Sequence, residues 1–255
     1  MPLRLGAAVT SLALTTTLTA TLTGATLALG AGAAHAATRP AVIERVVIGQ
    51  SVKHRPIVAW HLGEPAPGRQ TVLIVSTMHG NERQIQQIPE ALRDGRRIKG
   101  ADIWVLPVMN PDGLARNTRQ NAHGVDLNRN FPTQWVHTTG HYASGPRAAS
   151  EPETRAMMRF LLKIRPDRMI SFHQPLHGVD YNERRPTFSR HIARALRLPV
   201  SRVRCGGVCG GTMTQWFQAH LPGSAVTVEY GTRPSGWAMR KQAPTALLHL
   251  FGGRR

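Results

Sequence analysis

Acidic residues are scarce in this chain. Fourteen Asp and Glu stand against 32 Lys and Arg over 255 residues, a formal charge of +18. An imbalance of that size suits a polyanionic partner or surface, with nucleic acid, membrane and cell-wall polymer all qualifying. Lysine is nearly absent, occurring only as Lys53, Lys99, Lys163 and Lys241, so the basicity is almost all Arg. Two cysteines exclude a disulfide-dense scaffold and a four-cysteine zinc module. Aromatics make up 5%, and none interleave with a basic run, which speaks against a base-stacking nucleic-acid platform. No His-Glu-x-x-His pattern occurs, which removes one common zinc protease arrangement. No internal repeat or long linker divides the chain, so a single domain is expected after the leader.

The leader is the first positive feature. Residues 1–36 read as a secretory signal: Arg4, an uncharged Ala-, Leu- and Thr-rich stretch from Leu5 to about Leu29, then Ala34-His35-Ala36 as a small-x-small cleavage pattern. The stretch is long enough for a membrane anchor, but Thr and Gly dilute it and no anchor is expected after processing. No twin-Arg pair precedes it. The expected product is a secreted or wall-associated domain over residues 37–255. Cleavage removes one base and no acid, so the basicity belongs to the working protein. Export makes Cys205 and Cys209 a candidate disulfide across Cys-Gly-Gly-Val-Cys, with two free thiols as the alternative.

Apolar, β-branched runs alternate with helix-like stretches. Strands are expected at about 43–48, 56–61, 71–77, 102–108, 168–172 and 225–230. Helices are expected at about 83–94, 151–165, 186–196, 212–220 and 234–250, with Ser150 as an N-cap. The alternation predicts an α/β fold with a sheet covered on both faces. The stretch 110–150 is the exception. It is rich in Asn, Gly, Arg and Pro with little periodicity, and a loop of that length in a compact domain is usually functional or disordered.

Several apolar strands end in chemistry. Val72–Val75 runs on to His79-Gly80-Asn81-Glu82, Met169–Phe172 runs into His173, and Val226–Val228 runs into Glu229. Ligands of open α/β sheets sit beyond the carboxyl ends of strands, and a buried acid is costly unless paired or near a metal. Imidazole nitrogen and carboxylate oxygen are zinc ligands, and three of them leave a fourth position open. The long loop adds Arg119, Asn128 and Arg129, and arginines suit carboxylate recognition and oxyanion stabilisation. Five further histidines, His123, His137, His141, His177 and His220, read as surface or partly buried.

In order and combination, His79-Gly80-Asn81-Glu82, Asn110-Pro111-Asp112-Gly113, Gly124 to Phe131, Ser150 to Thr154, His173 and Glu229 resemble the zinc carboxypeptidases of the carboxypeptidase A type. The resemblance covers about Val72 to Gly231. It is strongest to the compact bacterial murein peptide amidase branch, which cuts stem peptides at the γ-D-glutamyl–diaminopimelate bond. It implies a mixed, about eight-stranded sheet flanked by helices and one Zn2+ held by His79, Glu82 and His173. It implies Glu229 as general base and acid, Arg119 polarising the scissile carbonyl, and Asn128 and Arg129 holding the substrate's terminal carboxylate. Thr212, Met213 and Thr214 fall on a pocket-lining stretch.

One departure stands out. The family's mobile Tyr is missing ahead of Gly210-Gly211-Thr212, and the chain has only Tyr142, Tyr181 and Tyr230. Either no phenol assists, or Tyr142 or Tyr181 reaches in from another loop. The implied function is a secreted zinc-dependent peptidase or amidase, on muropeptide or, alternatively, on general peptides. A non-catalytic wall binder would show losses among the metal or base residues, and none is seen.

Overall fold

A computed structural model describes residues 39–181, 186–202 and 209–255. The leader 1–36 therefore lies outside the described residues, as does Cys205. Eight strands form one mixed sheet in the order β1-β2-β4-β3-β5-β8-β6-β7. They are β1 (Val42–Gln50), β2 (Pro56–Gly63), β3 (Thr71–Val75), β4 (Asp102–Leu106), β5 (Arg168–His173), β6 (Leu176–Asp180), β7 (Val200–Ser201) and β8 (Ser224–Gly231). The central neighbours β4, β3, β5 and β8 run parallel. β1 and β2 extend the sheet antiparallel on one side, and β6 pairs antiparallel with β8 on the other.

The middles of the central strands are largely apolar on both sides because both of their faces are covered, the usual mark of a buried parallel sheet. Val72, Ile74, Ile103, Val105, Ile170, Phe172, Val226 and Val228 face one core. It is closed by α1 (Gln87–Arg93), α4 (Pro186–Leu196) and α6 (Ala243–Leu250). Leu73, Val75, Trp104, Leu106, Met169 and Ala225 face the other, closed by α3 (Pro152–Ile164) and α5 (Met213–His220). No described helix is long and apolar enough to cross a membrane.

The expected fold class holds, with local corrections. α1 begins at Gln87, not 83, because residues 79–86 turn to bring Glu82 back onto His79. Glu82 therefore lies in a turn and not in a first helical turn. The N-cap of α3 is Glu151, while the Ser150 hydroxyl donates to the Glu151 carboxylate. The final helix is interrupted: a π-helical turn at Ala238–Gln242 precedes α6, whose first turn holds Pro244, a residue with no amide to donate. β6 and β7 escape pattern reading because one contains His and Gly and the other is two residues long. Inside the long loop lies α2 (Pro111–Arg116), capped by the Asn110 side chain accepting from Gly113 N.

Candidate active site

The parallel order of β3, β5 and β8 puts their carboxyl ends side by side. His173 and Glu229 are register partners on adjacent strands, and His79 lies just beyond the end of β3. The turn at 79–82 closes through Glu82 N donating to His79 O at 3.1 Å. Its Gly80 is required by packing, since a Cβ there would clash with the backbone of Gly113 in α2. That contact joins the His-Gly-Asn-Glu turn to the Asn-Pro-Asp-Gly helix.

His79, Glu82 and His173 are 3%, 5% and 1% exposed, and their ligand atoms lie within 4.8 Å of one another. His79 Nδ1 is 2.6 Å from Glu82 Oε1, and His173 Nδ1 is 3.1 Å from Glu82 Oε2 and 3.2 Å from His79 Nδ1. Each outer ring nitrogen is tied elsewhere: His79 Nε2 to Asp126 Oδ1 at 3.1 Å, and His173 Nε2 to the Ser171 hydroxyl at 2.9 Å. Two imidazoles oriented by outer partners, with one carboxylate between them, fit a divalent cation with nitrogen and oxygen preferences.

The cluster is strongly coupled. Burial by itself would push the His79 imidazole down, but Glu82 and Asp126 at its two nitrogens outweigh it and raise it to about 9. Burial would likewise raise Glu82, yet the two histidines lower it to about 2. A cation entering here must displace the His79 proton.

Around this cluster opens a cavity of about 350 Å³. Glu229 lines one side, 7% exposed, with Leu176 N donating to Oε2 at 3.4 Å. Burial, with Glu82 nearby, raises its carboxyl above the usual range despite His173. A carboxylate raised toward neutrality is suited to accept and return a proton.

The long loop supplies the opposite wall. Arg119 donates through Nε to Asp126 Oδ2 at 2.9 Å, and its Nη1 is 3.8 Å from Glu82 Oε1. Asn128 Oδ1 accepts from Met213 N at 3.1 Å, which leaves the amide's two donors for the cavity. Arg129 is 4% exposed, and burial together with Arg119 lowers its guanidinium from the ordinary value. Gly211, at φ +73°, lies so close to the Arg129 carbonyl that any side chain would clash, which lets α5 begin beside the arginine.

Thr212 and Thr214 line the cavity, but Met213 does not. As the first residue of α5 it turns inward and is fully buried in the second core. Cys209 lines the cavity and is disulfide-bonded.

Sequence reasoning assigns no role to several residues found here. Asp126 is fully buried and accepts from Arg119 and from Asn128 N while facing His79. The apolar Val125 and Leu127 on either side of it were a readable sign of burial. His141, read as surface, lines the cavity, as do Tyr142, Gln174, Asp180, Gln215 and Thr227. Of the two phenols considered from the sequence, Tyr142 lines the cavity. Tyr181 is not among the lining residues, and Tyr230 is buried against Phe172.

A parallel sheet that gathers two histidines and two glutamates at its carboxyl end, opposite paired arginines, is the framework of a metallohydrolase. The chain belongs to the zinc carboxypeptidase family, whose model matches residues 33–181. It is 31% identical over 208 residues to murein peptide amidase A of Escherichia coli strain K12, covering 76% of this chain and 84% of the relative. The crystal structure of murein-tripeptide amidase from Escherichia coli O157 superposes with a TM-score of 0.67 at 27% identity, over 82% of this chain and 92% of that one. Carboxypeptidase A from Helicoverpa armigera shares the fold, with a TM-score of 0.68 at 18% identity over 83% and 68% of the two chains. The protein is accordingly a zinc metallohydrolase of the carboxypeptidase or amidase kind.

Proposed function

We propose that the protein is a secreted amidase of peptidoglycan stem peptides, hydrolysing the γ-D-glutamyl–diaminopimelate bond. The observation that carries this reading is the cavity itself. It sets the His79, Glu82 and His173 cluster and Glu229 against Arg119, Asn128 and Arg129. Similarity to murein peptide amidase A over 84% of that protein's length favours the wall substrate.

His79, Glu82 and His173 would hold one zinc ion, which supplies Lewis acidity and a water nucleophile usable near neutral pH. Glu229 accepts a proton from the attacking water and delivers it to the leaving amine. Arg119, held by Asp126, donates toward the oxygen of the scissile carbonyl as charge develops on it. Asn128 and Arg129 clamp the free carboxylate of the leaving residue, fixing the amide over the cluster. The hydroxyls of Thr212, Thr214 and Thr227 provide polar groups that can donate and accept, as the distal ammonium and carboxylate of a diaminopimelate leaving residue require.

Incubating the zinc-loaded protein with a stem tripeptide, and separately with a blocked dipeptide, followed by mass spectrometry, tests the reading. Cleavage only at the diaminopimelate bond is expected. Cleavage of the dipeptide alone would point to general carboxypeptidase activity instead.

The excess of arginine fits retention near anionic wall polymers. Binding to isolated walls should weaken as salt rises from low to high concentration, and salt-independent binding would count against that part of the proposal.

A further inference from the structure

Arg119 and Arg129 are two neighbouring cations lining one cavity, and the buried carboxylate that interacts with both, Asp126, also faces His79. The two guanidiniums share that one carboxylate, so a contact that attracts both at once adds to what holds them together in the cavity before a substrate carboxylate arrives. The Tyr142 ring lies 5.1 Å from the Cζ of Arg119 and 5.1 Å from the Cζ of Arg129. An aromatic face attracts cations through its quadrupole, and one ring here serves two of them.

The ring is held in place. Tyr142 closes a 3₁₀ turn at Gly140–Tyr142. Its carbonyl accepts from the Thr138 hydroxyl at 2.6 Å, and the neighbouring carbonyls of Gly140 and His141 accept from the Gln120 amide. Asp126 N donates to Ala143 O at 2.7 Å. The turn is thereby bonded to the neighbour of Arg119 on one side and to the arginines' own counter-ion on the other. His141 packs edge-on against the ring at 4.8 Å.

We infer that Tyr142 is a positioning residue: its ring holds Arg119 and Arg129 together over the metal cluster so that the cavity selects a substrate with a free carboxylate. This rests on the reading of those two arginines given above.

The test measures binding of N-acetyl-alanine and of its carboxamide by calorimetry on the zinc-loaded protein, and KM and kcat for the stem tripeptide and its C-terminal carboxamide. Tyr142→Leu should weaken carboxylate binding and raise KM by about 5- to 30-fold, the scale of two cation–π contacts. Changes in kcat, zinc content and Tm should be much smaller, and preference for carboxylate over amide should shrink. Tyr142→Phe should stay within about twofold of wild type and Tyr142→Trp should equal or exceed it, since the ring and not the hydroxyl acts. An unchanged carboxylate preference in Tyr142→Leu would overturn the inference. So would equal losses on acid and amide, or a Phe variant as poor as Leu. Calorimetry reads the inference without turnover, so an absence of hydrolysis in the wild type would sink the proposed function and leave this measurement standing.

Discussion

The carboxyl ends of β3, β5 and β8 and the long loop at 110–150 build opposite halves of one cavity by different means. The strand ends owe their position to apolar burial: each central strand is locked between two cores, and a residue at its end has little freedom to be elsewhere. The loop anchors Leu127 and Phe131 in the second core and is otherwise tied by buried polar bonds. The Asn130 amide donates to Ser144 O, Arg147 O and the Ser150 hydroxyl and accepts from Glu151 N. Asn121 donates to both Glu151 and Glu153. Asp112 accepts from Lys53 N and Arg55, holding α2 to the β1–β2 turn. The strand half holds His79, Glu82, His173 and Glu229, while the loop half places Arg119, Asn128 and Arg129 at the same cavity. On the proposed function, reactivity and recognition rest on separate supports.

Substitutions can break that division. Glu229→Gln on the strand half should lower kcat by on the order of 10²–10⁴-fold, the range for loss of a general base, with zinc content and KM little changed. Steady-state kinetics and metal analysis decide it, and a wild-type rate would remove Glu229 from the chemistry. Arg129→Gln on the loop half should do the reverse, raising KM by about 10- to 150-fold for the loss of a charge-assisted contact while kcat changes less.

Asp126→Asn strikes the junction, since Asp126 orients His79 and Arg119 together. Zinc affinity and kcat should each fall by about 10- to 100-fold, the scale for a group that orients a metal ligand. If only KM moved, Asp126 would belong to the loop alone. Asn130→Ala touches no cavity atom. It should cost about 1–3 kcal/mol of stability for buried partners left unsatisfied, and by loosening the loop should raise KM several-fold with zinc binding intact. Denaturation and kinetics together would show it.

A pH series sharpens the comparison from the metal side. His79 stands at about 9 against an unperturbed 6.5, and Glu82 at about 2 against 4.5. Zinc affinity should therefore climb roughly tenfold per pH unit until about pH 9, as the His79 proton ceases to compete. In the metal-free protein the same pair contributes fully to stability between about pH 4.5 and 6.5. The His79 contribution is lost as pH rises through 9, and the Glu82 contribution is lost as pH falls through 2. Thermal melts of metal-free protein that stayed flat from pH 6 to 9 would contradict the coupling.

Much of the strand half was legible in advance. Apolar runs such as Val72–Val75, and Met169–Phe172 interrupted only by Ser171, name buried strands, and a His or Glu at the end of such a run is conspicuous because burial there is costly. The loop half was legible only as motifs. Nothing in the spacing of Asp126 or Tyr142 says that one chelates Arg119 or that the other lies over two guanidiniums. Met213 shows the limit at one-residue scale. Its motif is right for a pocket, but the start of α5 rotates that side chain into the core while Thr212 and Thr214 stay in the cavity.

By itself the sequence determined the α/β class, the strands that form the sheet's centre and the residue types at their ends, because periodicity and burial cost are local properties. Only the tertiary structure decided that β3, β5 and β8 lie side by side, that Asp126 joins His79 to Arg119, and that the Tyr142 ring lies by Arg119 and Arg129. Those are distances between segments far apart in the chain, set by how a sheet orders its strands and how a polar loop satisfies its buried groups.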